Sequence, residues 1–86
     1  MNTFKLTIAS PDGNKFYDEA QMLTVRGIEG DLAIMAGHIP FITALQPCDC
    51  KVVLPDDTEK IGAVDGGLLT VSEKGATLLS GSFQWK

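Results

Sequence analysis

The chain has 86 residues, 44% hydrophobic and 21% charged, and no run of about 18 apolar residues that could span a bilayer, so the expectation is one small soluble domain over 1–86. Folding at this size hides roughly 60–65% of the extended chain's surface, which allows one modest core and disfavours a deep catalytic cavity. Eleven acidic residues face seven basic ones, of which only Arg26 is an arginine, and the formal charge of −4 argues against nucleic acid and acidic lipid, both of which require a basic stripe.

From the amino terminus, Phe4, Leu6 and Ile8 alternate with Lys5 and Thr7, a half-buried strand rather than a secretory leader. Pro11-Asp12-Gly13-Asn14 is turn chemistry for a hairpin. Lys15-Phe16-Tyr17 and Ala20 to Arg26 form the return strand, with a break expected at Asp18-Glu19. Nine glycines and four prolines are spread so evenly that only Asn14 to Arg26 has room for an ordinary helix. Further turns are expected at Gly27 to Gly30, Ala36 to Pro40, Pro55-Asp56-Asp57, Asp65-Gly66-Gly67, Lys74-Gly75 and Gly81. Between them lie short β-rich pieces: Leu32-Ala33-Ile34, Ile42 to Leu45, Lys51 to Leu54, Lys60 to Val64, Leu68 to Val71 and Thr77-Leu78-Leu79. Short, regularly spaced strands predict an all-β fold, a small antiparallel two-sheet β-sandwich or flattened barrel.

Motifs for chemistry are sparse. Cys48 and Cys50, two apart on a strand, suit a disulfide poorly and read as reduced thiols; with His38, the only histidine, they fall short of a metal site. The glycine pairs fit neither a dinucleotide fingerprint nor a phosphate loop, and Asp56 to Glu59 lacks the spacing of a calcium loop. No nucleophile lies in a recognisable catalytic signature, so no catalytic residue, cofactor or metal is expected, and His38 reads better as a turn-stabilising donor than as the base of a small hydrolase. Residues 27 to 45 carry more apolar mass than turns require. Leu32, Ile34, Ile42 and Leu45 are assigned to the core, while Met35, Ile39 and Phe41 suit core and partner surface equally, leaving open a small binding module for a peptide or sugar.

The string Gly30-Asp31-Leu32-Ala33-Ile34-Met35-Ala36-Gly37-His38-Ile39-Pro40-Phe41-Ile42-Thr43-Ala44-Leu45-Gln46-Pro47 closely resembles the epsilon subunit of bacterial F-type ATP synthases. Ile61 to Val71, with its Gly66-Gly67 pair, resembles a second block of that family; Phe4 to Gly13 resembles its first strand and turn, and Ala76 to Leu79 its last strand. The resemblance implies a β-sandwich at the foot of the central stalk, a rotor part without catalysis of its own. It would bind the gamma subunit and the polar loops of the membrane c-ring, on the cytoplasmic face of the cell membrane and attached to it only through the complex.

Carried over by position, the ring-facing residues are Glu29, Gly30 and Asp31, and the gamma-facing ones are Ser10, His38, Thr43 and Asp65. Asp31 replaces the family's usual glutamate, Ala36 a proline, Cys48 a glycine and Asp65 a serine. Family members commonly continue into a helical hairpin that restrains hydrolysis and in some binds ATP. This sequence stops at Lys86, so no hairpin and no nucleotide binding are expected, and Trp85 either covers the sheet edge where a hairpin would pack or sits at an interface.

Overall fold

Alternation of Phe4, Leu6 and Ile8 with polar neighbours produces the first strand of a computed structural model that describes residues 2–37 and 39–86. Eight strands follow one another: β1 (Phe4–Ser10), β2 (Gly13–Ala20), β3 (Met22–Gly27), β4 (Gly30–Met35), β5 (Phe41–Val53), β6 (Glu59–Ser72), β7 (Gly75–Leu79) and β8 (Phe83–Trp85). No helix forms among the described residues. Hydrogen bonding runs in the order β2-β1-β7-β6-β5-β3-β4, with β8 on β6. The pairs are antiparallel apart from β1 and β7, which are parallel. The sheet is not closed, so the all-β expectation holds as a folded-over sandwich rather than a barrel.

The sandwich is made by two long strands that change layers, where the sequence predicts four short ones. In β5 the odd positions Thr43 and Leu45 share the inner side with Leu69 and Val71, whereas further along Cys50 and Val52 face inward with Val64. Inward residues are therefore odd at one end and even at the other. A strand has a side-chain period of two, so the change of parity requires a break in the pleat. It falls at Gln46-Pro47 on β5 and at Gly66-Gly67 on β6, side by side in the register. Gly66 and Gly67 have φ of 80° and 151°, and a Cβ on Gly67 would lie 2.1 Å from the Leu79 carbonyl oxygen. Only glycine combines that backbone with that approach. The predicted turn at Asp65-Gly66-Gly67 is thus a corner inside a continuous strand, where strands switch sheets.

One layer consists of β2, β1, β7 and the ends of β5 and β6 that pair with each other through Phe41–Leu45. The other holds the remainder of β5 and β6 with β3, β4 and β8. Between them lies one core that includes Leu6, Ile8, Leu23, Val52, Leu69 and Leu78. Ile34 and Leu45 join it as expected and Leu32 packs against it, but Ile42 is 62% exposed. It sits opposite Thr70, on the outer side of a register whose neighbouring pair, Thr43 and Leu69, points inward. The break expected at Asp18-Glu19 falls instead at Gln21, whose backbone N–H donates to the Val53 carbonyl at 2.7 Å and whose side chain donates to Leu54 O and Asp57.

Trp85 bridges the unclosed side. Its Nε1–H donates to the Lys15 carbonyl on β2 at 3.0 Å, its ring meets Phe16 and Phe83 edge-on, and Lys60 lies over its face at 4.3 Å. Of the two readings of this residue, covering an edge is the one the contacts describe.

Candidate functional site: two outer faces and a hairpin tip

The two layers present opposite surfaces. On the β1/β7 layer the register places Ile42, Thr70, Thr77, Thr7 and Tyr17 in one outer row, and Ala44, Leu68, Leu79 and Ala9 in the next. Neither row holds a charged side chain, and Tyr17, Ile42, Leu68 and Leu79 are exposed. Met35, Ile39 and Phe41 are exposed as well, which decides the choice left open for them against the core. On the other layer the outer side is laced with ion pairs: Lys86–Asp49 at 2.7 Å, Arg26–Asp31 at 2.8 Å and Lys51–Glu59 at 4.0 Å. These uncharged rows, bordered by Lys5 whose Nζ lies 4.1 Å over the Tyr17 ring, are the feature expected of a partner surface, and the ion-paired face that of a solvated one.

Two of the gamma-facing candidates converge. Ser10 ends β1, and Ala9 O beside it accepts the Ser80 N–H at 3.0 Å; Asp65 N–H donates to Ser82 O at 3.1 Å. Both thus flank the 80–82 connection, which is held by Ser80. This serine is only 7% exposed, and its Oγ lies 2.7 Å from Gly66 O and 2.8 Å from Ser82 O. Ser10 itself is engaged: its hydroxyl donates to Asp12, which also pairs with Lys15 at 2.9 Å. These two bonds hold the Asp12 carboxyl down at about 2. Beside Ser10 an open cleft of about 240 Å³ is lined by Ala9, Pro11, Leu79 and Ser80. Thr43 lies apart from this group, half-buried and opposite Leu69, with its hydroxyl on Ala44 O. His38 lies outside the described residues.

Glu29, Gly30 and Asp31 come together at the β3–β4 hairpin. Gly27 pairs with Gly30, so Ile28 and Glu29 form a two-residue tip, and Gly30 turns back with φ 126°. The tip is braced on β5 by Ile28 N–H to Ala44 O at 3.2 Å and Gln46 Nε2 to Gly27 O at 2.9 Å. Next to it the β3–β5 register shifts between Thr24 and Gly27, and the Arg26 N–H meets Cys48 Sγ at 3.4 Å. Both cysteines are free thiols; burial pushes the Cys50 thiol up to about 12. Among the described residues no group of three metal-ligating side chains occurs.

Ser80, Leu68 and Leu79 were not singled out by sequence reasoning. The doublets Leu68-Leu69 and Leu78-Leu79 carried the signal, since adjacent strand residues cannot both face inward. Ser80 left no such trace.

Residues 3–86 match the family described as ATP synthase, Delta/Epsilon chain, beta-sandwich domain. Among curated relatives, the sodium ion specific ATP synthase epsilon chain of Acetobacterium woodii is 34% identical over 83 residues, covering 96% of this chain and 62% of that one. The epsilon chain of Wolbachia pipientis is 33% identical, covering 98% and 74%. The chain therefore spans between about three-fifths and three-quarters of these relatives' lengths. Among solved structures, a chain of the Euglena gracilis mitochondrial ATP synthase superposes with a TM-score of 0.91 at 19% identity, over 96% of this chain and 53% of that one. One of the Tetrahymena thermophila central stalk and c-ring gives 0.80 at 13%, over 95% and 66%. With the match extending over nearly every residue and the observed strands, this chain belongs to the ATP synthase delta/epsilon chain β-sandwich family.

Proposed function

We propose that this chain is a non-catalytic rotor component of an F-type ATP synthase, fastening the gamma subunit to the polar loops of the membrane c-ring so that ion-driven rotation becomes torque. The observation that carries the reading is the contrast between faces. The uncharged outer rows of the β1/β7 layer, with Ser10 and Asp65 at their margin, suit a stable protein interface; the braced tip at Glu29, Gly30 and Asp31 suits polar loops. Ser10, Asp65 and His38 are assigned to gamma and the tip to the ring; Thr43, whose side chain points inward beside Leu69, is not carried forward as a contact. The proposal places the chain on the cytoplasmic side of the membrane, held there only through the complex. The family relationship supports all of this. Size-exclusion chromatography of the chain mixed with purified gamma gives a complex at micromolar concentration; separate elution of the two overturns the proposal.

A further inference from the structure

Asp31 carries the family's carboxylate position at the hairpin, yet here that carboxylate is already engaged. Arg26 and Asp31 are directly opposed across β3 and β4, and Arg26 Nε donates to Asp31 Oδ1 at 2.8 Å. The arginine is fixed from behind as well, because its backbone N–H lies on the Cys48 thiol in the register shift. The pair is electrically neutral towards an approaching partner. Two residues further out, Glu29 makes no hydrogen bond or ion pair among the described residues and stands exposed beside Ile28, itself 63% exposed. The tip therefore offers one uncompensated carboxylate next to one apolar side chain, on a loop braced by Gly27, Gly30 and Gln46.

We infer that Glu29, with Ile28 beside it, supplies the charge contact to a basic group on the partner loop, and that Arg26 is a positioning residue that withholds Asp31 from that contact. The inference rests on the proposed ring-facing role of the hairpin and adds which of its two carboxylates acts, and why. The logic is electrostatic. A carboxylate already holding a guanidinium gains little from a second cation, whereas a free one gains the whole interaction. Arg26 is the sole arginine of the chain, and its guanidinium, always charged and more weakly hydrated than an ammonium, suits this hold better than a lysine would.

The test is binding of the chain, complexed with gamma, to purified c-ring at two salt concentrations. Glu29→Gln is expected to raise the dissociation constant about fivefold at low salt, the size of one partly exposed charge pair, and to flatten the salt dependence. Asp31→Asn is expected to change it less than about twofold. Arg26→Gln releases Asp31 and is expected to tighten binding, and Arg26→Lys to fall between that variant and the wild type. An Asp31→Asn loss equal to or greater than that of Glu29→Gln overturns the inference while leaving the ring-facing role intact. Wild-type chain that forms the gamma complex yet shows no ring binding overturns both.

Discussion

Replacing Gly67 by alanine tests the corner that turns one sheet into two faces. The added methyl would lie 2.1 Å from the Leu79 carbonyl oxygen and 3.1 Å from Ser80 Cα, at a φ of 151°. Both obstacles are backbone, so no side-chain rotation relieves them. Backbone strain of about 1–3 kcal/mol adds to a displacement cost of about 1–3 kcal/mol. A domain of this length has about 4–13 kcal/mol in total, so the substitution removes much of it.

For a protein this small each kcal/mol moves the melting temperature by roughly 4–8 °C, and Gly67→Ala is expected to lower it by at least about 8 °C. Gly66→Ala has a milder approach, 3.3 Å from Leu45 O, with φ of 80°; strain alone makes it cost about 1–2 kcal/mol. At Gly81 a Cβ meets nothing within 4 Å, and alanine there stays within about 0.5 kcal/mol. Thermal unfolding followed by far-ultraviolet circular dichroism ranks the three. A Gly67→Ala midpoint no lower than that of Gly81→Ala would refute the corner as the origin of the layer switch.

On the outer rows, Ile42→Glu or Leu79→Glu is expected to leave stability within about 0.5 kcal/mol while weakening gamma association about tenfold or more; titration calorimetry against gamma decides, and unchanged affinity in both removes this face from the interface. Asp12, held at about 2 against an ordinary 3.8, binds fewer protons folded than unfolded. Its stabilisation is complete above the ordinary value and is lost as the pH falls through 2, so the stability gap between wild type and Asp12→Asn narrows on acidification. A gap independent of pH contradicts the Ser10–Asp12–Lys15 cluster. Cys50 is buried with its thiol raised to about 12, so a disulfide reagent in mildly alkaline buffer labels Cys48 first and Cys50 only on unfolding. Equal labelling rates in the native protein would contradict its burial.

Local pattern made the strands legible because alternation at Phe4 to Ile8 is a property of consecutive residues. The layer switch was not, because Asp65-Gly66-Gly67 has the composition of a turn, and only the pairing of Gly67 with Leu45 shows that the strand continues through it. The same blindness put Ile42 inside. Its apolar side chain fits a core, but its side of the sheet is set by the parity beyond the corner. The turn at Gly27 to Gly30 was legible from its glycines, whereas Glu29, Gly30 and Asp31 stood out as a group only through resemblance. That Arg26 spans to Asp31 depends on register across the hairpin, which residue identity alone does not specify.

The brace of the hairpin tip bears on how so small a domain would serve the two proposed partners under load. On the proposed reading, force enters at the Ile28–Glu29 tip, whose brace is Ala44 O and the Gln46 side chain on β5. Ala44 itself belongs to the uncharged rows assigned to gamma. The path from ring contact to gamma contact thus passes through one hydrogen bond and then covalent backbone, with no interface between separately folded layers to slip. Two independent sheets joined only by core packing would yield by sliding; here the Ile28–Ala44 hydrogen bond ties the tip directly to the layer assigned to gamma, and a closely packed core resists the remaining deformation. Weakening the brace without touching either contact should therefore lower coupling alone. Gln46→Ala is expected to preserve gamma binding and ring binding yet reduce ATP synthesis per ion translocated in reconstituted vesicles, and a parallel loss of ring affinity would place Gln46 in the contact instead.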